Sequence, residues 1–126
     1  MINGFHSLVY SDDPPATRAF FRDVLGWPYI VAHDDWLIFK TPPSEVGVHP
    51  TEGDAGEHWA TTPHHELTLM CDNLEKTVAE LRAKGVDVDD DIEDQGFGLV
   101  TSLQVPGAGR MLLYQPRHPL AYEIEG

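Results

Sequence analysis

GFHSLVYSDDPPATRAFFRDVLGW, residues 4–27, opens as a strand and continues as a helix. From Ile2 to Tyr10 the side chains alternate. Ile2, Gly4, His6, Leu8 and Tyr10 share one face, and Asn3, Phe5, Ser7 and Val9 share the other. Asp12 and Asp13 can cap a helix, and Pro14-Pro15 suits its first turn. Ala16, Phe20 and Val24 recur at helical spacing, and Gly26 ends the run. The spacing predicts short strands over Pro28–His33, Trp36–Lys40 and Glu45–His49, separated by turn signals at Asp34-Asp35 and Pro42-Pro43-Ser44.

The same plan then repeats. HHELTLMCDNLEKTVAELRAKGVDV, residues 64–88, runs from an alternating strand, His64–Cys71, into a capped helix. In that helix Leu74, Val78 and Leu81 fall on one face, and Gly85 ends it. Strands are expected over Val86–Val88, Phe97–Val105 and Arg110–Gln115. Asp12-Asp13 matches Asp72-Asn73 at an offset of 60, as Arg22 matches Arg82 and His6 matches Glu66. The first half carries one additional residue before Leu25-Gly26 relative to Lys84-Gly85. The expected organisation is one unit over residues 1–126. Module one covers about 1–50, a Gly/Asp/Glu-rich connection 51–63, module two 64–116, and a tail 117–126.

Composition narrows the function classes. At 126 residues and 41% hydrophobic content, the chain can bury one core. The net charge of −13 argues against nucleic acid and anionic membranes as partners. The acidic clusters at Glu52–Glu57 and Asp87–Asp94 read as solvated loops. No stretch approaches the roughly 20 apolar residues that span a bilayer. Met1–Ser11 does not read as a secretory signal, so a cytoplasmic location is the default expectation. A single cysteine, Cys71, excludes an intrachain disulfide and reads as core.

These segments resemble the vicinal-oxygen-chelate superfamily, which includes glyoxalases, bleomycin-resistance proteins and extradiol dioxygenases. Residues 4–27 are similar to the family's opening, residues 64–88 to the start of its second module, and PGAGRMLLYQPRH (106–118) to its last strand. The resemblance implies an α+β fold in which two βαβββ modules form cupped sheets around a pocket. It also implies homodimers, a small-molecule ligand, and a divalent metal as candidate cofactor held by four inward side chains.

Strand alternation places Glu66, Thr68 and Met70 on the pocket face of the second module, with Leu67, Leu69 and Cys71 against its helix. His6 and Glu66 are thus the candidate catalytic pair and the two candidate metal ligands. The family's other two ligand positions fall at Leu112 and near Val46, neither of which can bind a metal. Shifting the alignment by one residue offers Glu45, with His49 as an off-register companion. Tyr10, Thr68, Met70, Arg110, Leu112 and Tyr114 are the candidate substrate-binding residues. Among them, Arg110 suits an anionic group and Tyr114 an aromatic wall. His64, His65, His58 and His118 read as surface or structural. Trp59 and Gly96-Phe97-Gly98 are candidate lid elements, and Trp36 and Phe39 are further pocket candidates.

Two functions follow as expectations. One is a glyoxalase-like protein binding a small oxygenated metabolite, with lyase or isomerase chemistry and Glu66 as base. The alternative is a non-catalytic protein that sequesters a drug or metabolite, as in the bleomycin-resistance branch. Extradiol ring cleavage is disfavoured, because the strands offer no triad of two His and one carboxylate.

Overall fold

A computed structural model describes residues 1, 5–34, 36–51, 55–56 and 63–124. The first helix, α1 (Pro14–Ala19), starts as its sequence requires. The Asp13 carboxylate accepts the Ala16 N–H at 3.2 Å, and prolines fill the first positions. The helix then widens into a π-helical turn over Phe20–Val24, where the Leu25 N–H donates to Phe20 O, five residues back. A π-turn is how a helix absorbs one extra residue. The additional residue of the first repeat is therefore taken up inside the helix and not in the loop after it.

A hairpin follows, β1 (Tyr29–His33) against β2 (Trp36–Phe39), antiparallel with Tyr29 opposite Phe39. Aromatic contacts dock it on the helix. Phe39 meets Phe21 edge-on at 5.6 Å, and Trp27 stacks on Phe21 at 5.0 Å.

The second half forms a four-stranded sheet in the order β3-β6-β5-β4. Its strands are β3 (Thr68–Met70), β4 (Glu93–Asp94), β5 (Gly98–Val105) and β6 (Gly109–Pro116). β3 runs parallel to β6, and the β5–β6 and β4–β5 pairs are antiparallel. Between β3 and β4 lies α2 (Leu74–Ala83), whose N-terminus is doubly satisfied. Asn73 Oδ1 accepts from Lys76 N–H, and Gln115 Oε1 on β6 accepts from Leu74 N–H at 2.9 Å.

One core joins the halves. Phe20 and Phe21 pack with Leu74, Val78 and Leu81 of α2 and with Leu103, Val105 and Leu113 of the sheet. Leu74, Leu103 and Val105 are fully inaccessible. Hydrogen bonds reinforce the junction: Asp12 N–H donates to Gly107 O at 2.7 Å, and the buried Thr17 hydroxyl donates to Pro106 O at 2.5 Å. Gly107 sits at φ +79°, and a Cβ there would meet Ser11 Oγ at 2.6 Å. The close approach of the β5–β6 turn to the start of α1 needs glycine at that position.

Several expected strands differ. Residues 5–10 and Glu45–His49 run without a ladder, and Val86–Val88 reduces to one bridge between Val88 and Leu103. Alternation specifies a strand only when a neighbour supplies the hydrogen bonds. Neither 5–10 nor 45–49 has such a neighbour among the described residues. The short β4 was not expected, since Glu93-Asp94 carries no apolar alternation.

Candidate functional site

Pairing in the second sheet fixes its two faces. Leu113 packs in the core and Gln115 reaches α2, so Arg110, Leu112 and Tyr114 point to the opposite, open face. Thr68 lies beside Leu112 and Met70 beside Tyr114, which puts Thr68 and Met70 on that face too. Leu69 and Cys71 pack against the core, as alternation requires, but Leu67, expected with them against the helix, lies ahead of β3 and is 44% exposed. Burial pushes the Cys71 thiol pKa up, in keeping with an inert core cysteine. Extending the β3–β6 register by two residues sets Glu66 alongside Arg110.

An open groove of about 300 Å³ lies at that end of the face. Its walls include Leu8 and Tyr10 from the unpaired first segment, Glu66 and Leu67 ahead of β3, and Arg110 and Leu112 of β6. Both charged groups are half-exposed or more. Arg110 faces Asp87 at 3.6 Å, and Glu66 faces His64 at 3.5 Å. The structure thus brings together Tyr10, Glu66, Arg110 and Leu112.

His6 stands apart. It is exposed and forms no part of the groove wall. Glu66 pairs with His64 among the described residues, in place of the expected His6. The reason is local: without a ladder, nothing turns residues 5–10 so that His6 faces Glu66. Val9 still packs on the core while Leu8 and Tyr10 point out, but Phe5, expected against the helix, is 81% exposed.

Thr68, Met70 and Tyr114 lie further along the same face, beyond the groove. At that end a second cluster forms that the sequence did not single out as a unit. The Glu45 side chain is 15% exposed, and its Oε1 lies 3.5 Å from Tyr114 Oη and 3.7 Å from His118 Nε2. Its Oε2 accepts the Ala121 N–H at 2.9 Å. His118 Nε2 lies 3.1 Å from the Tyr114 hydroxyl, and Phe97 meets the Tyr114 ring edge-on at 6.0 Å. Burial, and then the Glu45 carboxylate, raise the Tyr114 pKa and keep the phenol neutral. Glu45 did stand out as an off-register acid, but its partners are 69 and more positions away. Trp36 and Phe39 lie on the hairpin, where Arg18 covers the Trp36 ring at 5.4 Å. His58 and Trp59 lie outside the described residues.

A family profile described as Glyoxalase/Bleomycin resistance protein/Dioxygenase superfamily matches residues 5–110. The chain belongs to this superfamily. Solved structures agree on the fold. A lactoylglutathione lyase from Agrobacterium tumefaciens superposes with TM-score 0.59 at 16% identity, over 89% of this chain and 92% of that one. TnmS3, an antibiotic binding protein from Streptomyces sp. CB03234, gives 0.60 at 20% identity, over 92% and 98%. A glyoxalase/bleomycin resistance protein/dioxygenase from Nocardioides gives 0.57 at 15% identity, over 96% and 91%. No curated protein matches the sequence.

Members of the superfamily commonly use divalent metals. Among the described residues no three His, Cys, Asp or Glu side chains converge as metal ligands. Leu112 occupies the face where a ligand would project from β6, and Val46 is 69% exposed with no donor atom. With His6 outside the groove, Glu66 has no two further protein ligands of the kind catalytic sites usually supply among the described residues. The donor set of the described residues does not fit the metal centre. None of the described helices is long and apolar enough to cross a membrane.

Proposed function

We propose that this protein binds a small oxygenated organic molecule in the groove at the Glu66–Arg110 end of the sheet, holding it without a metal. The reading treats residues 1–126 as one unit. The single observation that supports it most is the pairing of opposite charges on otherwise apolar walls. Arg110 suits a carboxylate or carbonyl oxygen, and Glu66 suits a hydroxyl or amine at the other end of the ligand. Leu8, Leu67, Leu112 and the Tyr10 ring take its hydrocarbon part. The negative net charge favours ligands that are not strongly anionic.

Thermal-shift screening of small hydroxy acids, keto acids and amino-sugar compounds, followed by calorimetry, tests this. Arg110→Met should weaken a bound ligand by about 10- to 100-fold, the loss of one charge-assisted hydrogen bond worth about 1.5–3 kcal/mol. An unchanged affinity in the variant, or no stabilisation by any compound, overturns the assignment.

A second reading rests on the His64–Glu66 contact. Glu66 takes a proton from a carbon beside the ligand's carbonyl, giving lyase or isomerase chemistry, with His64 orienting the carboxylate. Ligand recovered chemically altered from wild type and intact from Glu66→Gln would select this reading. Recovery intact from both would select plain sequestration.

We also infer a homodimer in the cytoplasm. Phe5, Leu8, Tyr10, Val46 and Val48 are exposed on the two stretches that lack ladders, which suits pairing with a second copy. Sedimentation as a monomer at micromolar concentration would contradict it.

A further inference from the structure

The geometry points to residues 117–124 as a strap that closes the Tyr114 end of the open sheet face, with Glu45 as a pin. The strap leaves β6 at Arg117, whose backbone N–H donates to Phe97 O and whose guanidinium grips Asp94. Past that point Leu120 is half-buried, and Tyr122 and the His118 side chain are each 38% exposed. The segment folds back. Its Leu120 and Tyr122 form one wall of a cavity of about 160 Å³, opposite Met70, Asp72 and Pro116. Met70 belongs to the open face, so the strap lies across that end of it.

Its apolar burial rests on Leu120 and the Tyr122 ring, with Ile124 78% exposed. Its internal bonds, Glu123 N–H to Leu120 O, Ile124 N–H to Ala121 O and the 2.8 Å contact of His118 Nδ1 with Pro119 O, shape its turn without attaching it. Attachment past Arg117 converges on Glu45. One carboxylate oxygen takes the Ala121 N–H at 2.9 Å, and the other lies within reach of His118 and of the Tyr114 hydroxyl. His118 also reaches the Tyr114 hydroxyl directly at 3.1 Å. Glu45 comes from the first half of the chain, whereas the sheet and the strap belong to the second. The pin therefore couples the position of 45–49 to the closure of the strap. If the groove binds a ligand as proposed above, release would extend its floor along β6 from Arg110 and Leu112 to Tyr114. The closed strap would then limit ligand length.

Amide hydrogen exchange on the ligand-free protein tests the strap separately from any ligand. Glu45→Ala should speed exchange at Ala121, Glu123 and Ile124 by tenfold or more, and leave Thr101 and Leu113 in the central strands unchanged. Tyr114→Phe, which removes one partner of Glu45 and leaves the Ala121 bond, should give a smaller effect at the same amides. Unchanged exchange at 121–124 in Glu45→Ala would overturn the proposal, as would faster exchange throughout the chain. If Glu45→Ala does not fold, Glu45→Leu, which keeps the bulk and removes both oxygens, decides the matter on the same amides: selective loosening supports the pin, and wild-type protection removes it.

Discussion

Two copies of one plan behave differently in this chain. The second half closes a four-stranded sheet, with every central strand paired on both sides. The first half keeps its helix and one hairpin, while residues 5–10 and 45–49 join no ladder among the described residues, with Phe5, Tyr10 and Val48 more than 80% exposed. Helices carry their own hydrogen bonds, so α1 forms wherever its cap and apolar face are present. Strands borrow theirs, so the same pattern gives a sheet in one half and bare extended chain in the other. The weaker half supplies Leu8 and Tyr10 to the groove and Glu45 to the strap. The firmer half supplies the floor beneath both.

The largest expected effect tests whether the halves are one cooperative structure. Phe21 belongs to the first half but shares one core with Leu74, Val78 and Leu81 of α2, and its ring meets Trp27 and Phe39. Phe21→Ala should cost about 3–5 kcal/mol and shift a single unfolding transition in urea. Two separated transitions would show that the halves unfold independently.

A milder pair of variants sharpens the comparison. Asp13 caps α1 and Asn73 caps α2 by equivalent bonds. Each, changed to Ala, should lose about 1 kcal/mol. Chemical denaturation should show Asn73→Ala as the smaller loss of the two, because Gln115 still accepts the Leu74 N–H at the second helix. Adding Gln115→Leu to Asn73→Ala should erase that difference.

The smallest effect lies at the rim of the firm half. The Arg117 guanidinium beside Asp94 holds that carboxyl at about 2, well below the ordinary aspartate value. A depressed folded-state pKa stabilises the fold above the unfolded pKa near 4, and the contribution is lost as pH falls from there through about 2. Both side chains are exposed, so the stability change should be slight and screened by salt. Carbon-detected NMR titration of Asp94 is the direct readout. Arg117→Ala should return its midpoint towards the ordinary range.

Much of the firm half is legible in the residues. The 74–78–81 spacing, a cap at Asp72 or Asn73 and the strand patterns over 97–105 and 110–115 each report a local preference that the fold then uses, with Asn73 as the cap. Face assignment succeeded wherever a ladder exists, which is why Thr68, Met70, Arg110, Leu112 and Tyr114 share one side. It does not extend to His6, because alternation names a face only relative to a sheet, and residues 5–10 join none among the described residues. The Glu45–Tyr114–His118 cluster was illegible for a different reason. Its members come from distant segments, and no periodicity links an acid at 45 to a tail at 118.

The π-turn at Phe20–Val24 acts as a phase keeper. In an α-helix each residue advances about 100° around the axis, so one inserted residue would turn everything after it by that angle unless a wider turn takes it up. Here the Leu25 N–H reaches Phe20 O as the Lys84 N–H reaches Glu80 O, and the Trp27 N–H reaches Phe21 O as the Val86 N–H reaches Leu81 O. The chain therefore leaves its two helices by matching bonds, and Trp27 arrives over Phe21. The surplus residue is absorbed within one turn, and the likeness of the two halves survives it.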